Sequence, residues 1–161
     1  MSKVGIVFGS NKGDAQKVAE YIGGKISADI VDAKELSADF LSAHEKLIFV
    51  ASTHKVGELQ NDFKAKLDVV ASTDFSGKTL ALVGLGGLER HAGEFCDGLV
   101  EFLPLLRGAK LVGAYEGCEY DYKRSLAFIN GKFVGLVLDI NTDEGWQAKT
   151  DKWFDGIKAE F

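Results

Sequence analysis

Two sets of residues in this 161-residue chain have types and spacing that suit chemistry. The first is Gly9-Ser10-Asn11-Lys12-Gly13-Asp14, a polar, glycine-bearing turn. It follows the apolar run Lys3–Phe8 (KVGIVF) and precedes a helical pattern. A turn of this kind aims successive backbone N–H groups and a helix dipole at one point, which favours an anion. Ser10 adds a hydroxyl and Lys12 a cation. The run has neither the G-x-x-x-x-G-K-[ST] pattern nor the fingerprint G-x-G-x-x-G, and an ordinary strand-to-helix turn is the plain alternative. The second set is the histidines. His54 lies in the polar loop Ser52–Gln60 and His91 in the loop Gly86–Gly93, while His44 precedes a strand and reads as a solvated loop residue. No C-x-x-C-H run or further ligand cluster accompanies them, so metal or haem ligation is the weakest reading. Cys96 and Cys118 form no C-x-x-C pair, and Cys96 falls on an apolar helix face as a packed thiol.

The elements that position these residues follow from hydrophobic periodicity. Lys3–Phe8, Lys46–Ala51 and Thr79–Leu85 are nearly continuous apolar runs, as strands buried on both faces require. Asp29–Val31 and Lys110–Tyr115 read as two more strands. Strand character resumes at Phe133–Leu138 after the irregular stretch Glu116–Lys132. Helical spacing joins Ala15, Val18, Ala19, Ile22 and Ile26. Short helices are expected at Leu36–Leu41 and Asp62–Val70. Cys96, Leu99, Val100, Leu103 and Leu106 suggest a further helix, kinked or shortened by Pro104. Trp146, Trp153, Ile157 and Phe161 mark a last one. Strands alternating with helices imply an α/β fold. The expected architecture is a doubly wound five-stranded parallel sheet of order 2-1-3-4-5, with helices on both faces, in a single domain spanning residues 1–161. Ligands in such sheets bind beyond the carboxyl ends of the strands. Gly9–Asp14, Ser52–Gln60 and Gly86–Gly93 would meet there.

Composition narrows the partners. A net charge of −5 argues against nucleic-acid binding by phosphate neutralisation. The apolar runs are strand-sized, so no membrane insertion is expected. Two isolated thiols and no visible signal peptide suit a cytoplasmic protein.

The chain resembles the flavodoxins, small FMN-containing electron carriers, from KVGIVFGS at one end to KWFDGIKAEF at the other. The likeness is strongest in DFSGKTLALVGLG (Asp74–Gly86), EFCDGLVEF (Glu94–Phe102) and GKFVGLVLD (Gly131–Asp139). The interruption Glu116–Lys132 resembles the insertion in the fifth strand of long-chain flavodoxins. The resemblance implies FMN as cofactor, with its phosphate wrapped by Ser10, Asn11, Lys12, Gly13, Asp14 and Ala15. Ser10 and Gly13 match the family pattern [ST]-x-[ST]-G-x-[ST], whereas Lys12 and Ala15 replace hydroxyl residues. Ser52, Thr53, His54, Lys55, Val56 and Gly57 would cover the inner flavin face, with the peptide after Lys55 near flavin N5. Leu85, Gly86, Gly87, His91 and Phe95 would serve the outer face. There Gly87 takes an acidic position and His91 that of the stacking tyrosine. Asn141 would lie near the ribose.

Three readings of His54 and His91 stay open: imidazoles flanking FMN, surface histidines around an empty or repurposed pocket, and metal or haem ligands. The first is favoured. The implied function is one-electron shuttling by a monomer between redox protein partners, a reductase and an acceptor enzyme, with no catalytic acid, base or nucleophile of its own. A flavodoxin-like binding module that has lost FMN, or holds another ligand, is the alternative. An NAD(P)H-dependent flavin reductase is a third reading, though nothing here resembles a nicotinamide site. Glu89, Glu94, Asp97 and Glu101 suit either a docking surface or a solvated helix face. With Gly87 uncharged and Lys55, Arg90 and two histidines nearby, the potential of the more reduced flavin couple is expected to be higher than usual for the family. It should also move with pH between ~5.5 and 7.5 as the histidines titrate. Potentiometry of the FMN-loaded protein checks this, and a flat potential across that window would sink it.

Overall fold

The computed structural model describes residues 3–54, 57–116 and 118–161, with backbone alone for Arg90 and His91. In chain order the elements are β1 (Val4–Gly9), α1 (Asp14–Gly23), β2 (Ala28–Asp32), α2 (Ala38–Ala43), β3 (Lys46–His54), β4 (Glu58–Leu59), α3 (Asn61–Lys64), α4 (Leu67–Ala71), β5 (Thr79–Leu85), α5 (Leu88–His91), β6 (Lys110–Val112), β7 (Phe128–Ile129), β8 (Lys132–Phe133), β9 (Leu136–Leu138) and α6 (Trp146–Ile157).

Among the described residues the main sheet runs β2-β1-β3-β5-β6 in parallel, with β9 also paired to β5. This is the expected order 2-1-3-4-5 with its fifth strand split. β6 pairs with Thr79–Ala81 and β9 with Val83–Leu85, so both occupy one edge position. The expected strand Phe133–Leu138 is therefore two elements. Lys132–Phe133 pairs back on Phe128–Ile129, and only Leu136–Leu138 joins the main sheet. Gly135 explains the break, since a Cβ there would lie 2.0 Å from the Leu82 carbonyl oxygen. The chain crosses β5 where only glycine fits.

Strand alternation sorts the core into two layers. Ile48 and Val50 of β3 pack with Val18 and Ile22 of α1 and Trp153 and Phe154 of α6. Leu47 and Phe49 face the other way, among Phe63, Phe75 and Phe102. The rings of Phe49, Phe63 and Phe102 meet with centroids 4.9–5.5 Å apart.

Three expectations fail for identifiable reasons. The segment after Cys96 is no α-helix but two tight 3₁₀ turns, Asp97–Glu101 and Leu103–Leu105. Its apolar residues Cys96, Leu99 and Phe102 recur every three positions, which a 3₁₀ turn also satisfies. Cys96 is left-handed at φ 56°, and a Cβ on Gly98 would meet the Leu59 backbone at 2.9 Å. A regular helix has no room there. Asp62–Val70 breaks into α3 and α4 at Lys66, whose Nζ donates to the Leu36 carbonyl. Finally, His44 is only 5% exposed. Its Nδ1 lies 2.7 Å from the Phe40 carbonyl and its Nε2 2.8 Å from Asp29 Oδ2. Both ring nitrogens thus face acceptor oxygens, which ties α2 to β2.

The hydrogen bond from His44, with the nearby charge of Lys3, holds the Asp29 carboxyl below the usual carboxylate range. A carboxyl depressed on folding stabilises fully above its unfolded value of about 3.9, and loses that contribution as pH falls through the folded value. His44→Ala also leaves the half-buried Phe40 carbonyl without its side-chain partner, and the variant should lose about 1–3 kcal/mol at pH ~6. In urea melts, the gap to wild type should narrow below pH ~3.

Candidate functional site

The strand ends β1, β3, β5 and β9 open together on a cleft of about 360 Å³. Its walls come from the expected loops. Asn11, Lys12 and Asp14 form one side, Ser52, Thr53 and His54 a second, Leu85, Gly86 and Gly87 a third, and Ile140 and Asn141 the fourth.

The first wall is built by the start of α1. Gly13 caps the helix at φ 88°, a left-handed conformation that glycine adopts freely. The Ala15 N–H donates to Ser10 Oγ at 3.3 Å, and Ala15 itself is fully buried, so it shapes the turn without lining the cleft. Asn141 Nδ2 donates to Asp14 Oδ2 at 3.1 Å and ties this loop to the exit of β9.

The second wall is the end of β3. The segment expected as a polar loop is partly strand: Thr53 pairs with Leu59 and His54 with Glu58 in an antiparallel turn-back. Thr53 Oγ1 accepts the Gly98 N–H at 3.1 Å. His54 Nδ1 meets Asn11 Nδ2 at 2.8 Å, which joins the first two walls. Lys55 and Val56 lie outside the described residues. Gly57 turns at φ 75° directly over Asp97, with Oδ2 3.1 Å from where a Cβ would stand. Asp97 is buried, which pushes its carboxyl up, while the Leu126 N–H it accepts at 2.7 Å pulls the other way. It is thus built into the 92–101 segment and is no part of a solvated face.

The third wall is bare backbone. The Gly86 N–H donates to the Leu138 carbonyl, and a Cβ on Gly86 would lie 2.8 Å from the Phe95 ring. Phe95 is completely buried and supports Gly86 from behind. It does not line the cleft. The expected loop Gly86–Gly93 contains the short helix α5, and the His91 side chain lies outside the described residues.

Two cleft features were not anticipated. Ile140 adds an apolar wall beside Asn141. Asp139, 1% exposed, organises the fourth wall. Its Oδ2 accepts from the Leu88 N–H and the Thr142 hydroxyl, and its Oδ1 from the Asn141 and Thr142 N–H groups. The sequence signal was present, because Asp139 closes an otherwise apolar run. Cys96 is buried and its thiol is pushed up by desolvation, as the packed-thiol reading requires. Among the described residues no group of three or more His, Cys, Asp or Glu could hold a metal ion. A second concavity, about 490 Å³, lies between Thr73 and Gly108 beside the start of β5. Its Asp74 is already committed to the Ser76 N–H.

Asp139→Ala would orphan three backbone N–H groups at once. The expected cost is at least about 2 kcal/mol in a urea melt, with faster amide exchange at Leu88 and Asn141. Wild-type exchange at those two amides would contradict the bonding described.

The cleft places an anion-favouring helix start, a cation, two apolar walls and bare glycine backbone around one opening at a topological switch point. Residues 6–127 match the sequence profile of the family described as flavodoxin. The chain is 35% identical to a flavodoxin of Helicobacter pylori, covering 100% of this chain and 99% of that one. It is 34% identical to flavodoxin 1 of Azotobacter vinelandii, covering 100% and 98%. In three dimensions it is similar to a Fusobacterium nucleatum flavodoxin bound to flavin mononucleotide, with a TM-score of 0.92, 28% identity and coverage of 100% and 99%. Sequence over the full length and backbone geometry thus converge, and the chain belongs to the flavodoxin family.

Proposed function

We propose that this chain is a one-electron carrier that holds FMN in the cleft and passes electrons between a reductase and an acceptor enzyme. One observation carries the reading. In a chain of this family, the start of α1, Lys12 and the glycine wall Gly86-Gly87 converge on a cleft of about 360 Å³. The residues present fit the cofactor. Ser10, Asn11, Lys12 and Gly13, with the N–H group of Asp14, offer a phosphate a hydroxyl, a cation and a helix start. Leu85 and Ile140 offer apolar walls to a planar ring system, and Gly86 and Gly87 let it approach the backbone. Ser52, Thr53, His54 and Gly57, together with Lys55 and Val56, would cover one face of the ring. His91 would cover the other, and Asn141 would sit near the ribose. Bound FMN supplies the one-electron chemistry. The chain's own residues bind, orient and shield it, and none acts as acid, base or nucleophile.

The split edge strand supports the long-chain type, because residues 113–135 leave and rejoin one strand position. We read the chain as a single domain over residues 1–161 that works as a cytoplasmic monomer, with no nucleic-acid partner. No helix among the described residues is long and apolar enough to cross a membrane.

The purified protein should be yellow, with flavin bands near ~375 and ~450 nm. Lys12→Ala should weaken FMN binding by roughly 5- to 20-fold and flatten its salt dependence, because a charge-assisted contact to phosphate is lost. A colourless protein that FMN cannot turn yellow would point to the binding module instead. Oxidation of NADPH by the protein alone would point to a reductase.

A further inference from the structure

Behind His54 stands the last residue of the loop Ser52–Gln60. Gln60 is completely buried, and β1 ends in glycine to make room for it: a Cβ on Gly9 would lie 2.3 Å from Gln60 Oε1. One end of this amide is fixed by the backbone. The Phe63 N–H can only donate, so the atom it meets at 3.0 Å is the amide oxygen, Oε1. Gln60 Nε2 therefore faces the other way, donating to Asn11 Oδ1 at 3.0 Å and to Asp62 Oδ2 at 2.9 Å. The first of these bonds fixes a second amide. With its oxygen taken, Asn11 presents Nδ2 to His54 Nδ1 at 2.8 Å. An amide nitrogen offers no lone pair, so His54 Nδ1 is the acceptor. The neutral ring then carries its proton on Nε2. Each link is dictated by the one before it, and the first by a main-chain N–H.

We infer that Asn11 and Gln60 are positioning residues whose hydrogen bonds, running from the Phe63 N–H, set His54 in the Nε2–H tautomer and make it an N–H donor at the rim of the cleft. The ligand chemistry this suits is an acceptor, such as a carbonyl oxygen or an unprotonated ring nitrogen of a planar heterocycle. That consequence deepens the FMN reading and rests on it. The tautomer does not.

The test uses ¹⁵N-labelled protein freed of flavin, near pH ~8.5, well above the ordinary imidazole value. Long-range ¹H–¹⁵N spectra distinguish the two tautomers by their nitrogen shifts. His54 should be above about 90% Nε2–H, as a hydrogen bond to Nδ1 demands. A ¹⁵N–¹⁵N scalar coupling should connect Asn11 Nδ2 to His54 Nδ1. Asn11→Asp reverses only the last link. Its carboxylate accepts, so the proton should move to Nδ1 and the coupling vanish. Asn11 is exposed, so this change spares the core. A wild-type ring protonated on Nδ1, or an Asn11→Asp ring still protonated on Nε2 alone, overturns the relay. Titration with FMN then reads the ligand side. A shift of the Nε2–H resonance on saturation supports the donor role, and an unmoved resonance overturns it. If the tautomer is as stated and FMN does not bind, the relay stands and the FMN reading falls.

Discussion

β3 is hydrogen-bonded on both sides along its apolar run, and the chemistry of the molecule depends on where that pairing stops. Its partnership with β1 ends at Gly9 opposite Ala51, and that with β5 at Leu85 opposite Ser52. One residue beyond, no parallel neighbour remains. The backbone there must find other partners, because a buried unpaired N–H or C=O is costly. β3 turns to β4 for them, β1 breaks into the start of α1, and β5 breaks into the glycine wall. The cleft is the space these three departures leave.

Its walls are then held by two buried polar side chains, one on each side. Gln60 links β3's turn-back to the first loop, and Asp139 links β9's exit to α5. Each makes at least three hydrogen bonds and is almost wholly removed from water. Polar groups this well satisfied in a low-dielectric setting make for rigid geometry. Both act through residues that face the opening, and neither lines it.

The legibility of the sequence follows the range of the interactions involved. β1, β3 and β5 could be read directly, because burial on both faces demands a continuous apolar run that few other structures want. The loops of the site followed from strand order and from family likeness. The 96–106 segment was misread because i, i+3 spacing serves a 3₁₀ turn as well as an α-helix, and the deciding contact, Gly98 against Leu59, is remote in sequence. His44 was misread for the same reason, since its partner Asp29 lies on another strand. Phe95 was placed in the site by family likeness, but its ring faces the core. Gln60 looked like a loop residue, for nothing in its neighbours announces that Gly9 leaves it space.

The split edge strand changes how the excursion 113–135 should be regarded. The chain leaves the sheet after Val112, opposite Ala81, and returns at Leu136, opposite Val83. Along that edge a single rung is missing, at Leu82, and Gly135 passes over its carbonyl. The chain between the two points leaves the sheet's hydrogen-bond ladder but not its core, since Ala127 and Phe133 are completely buried and the Leu126 N–H donates to Asp97. Tolerance for insertion is therefore confined to exposed points such as the Asn130-Gly131 turn, where loop-closure entropy grows only slowly with length, and is withdrawn where the excursion packs into the core.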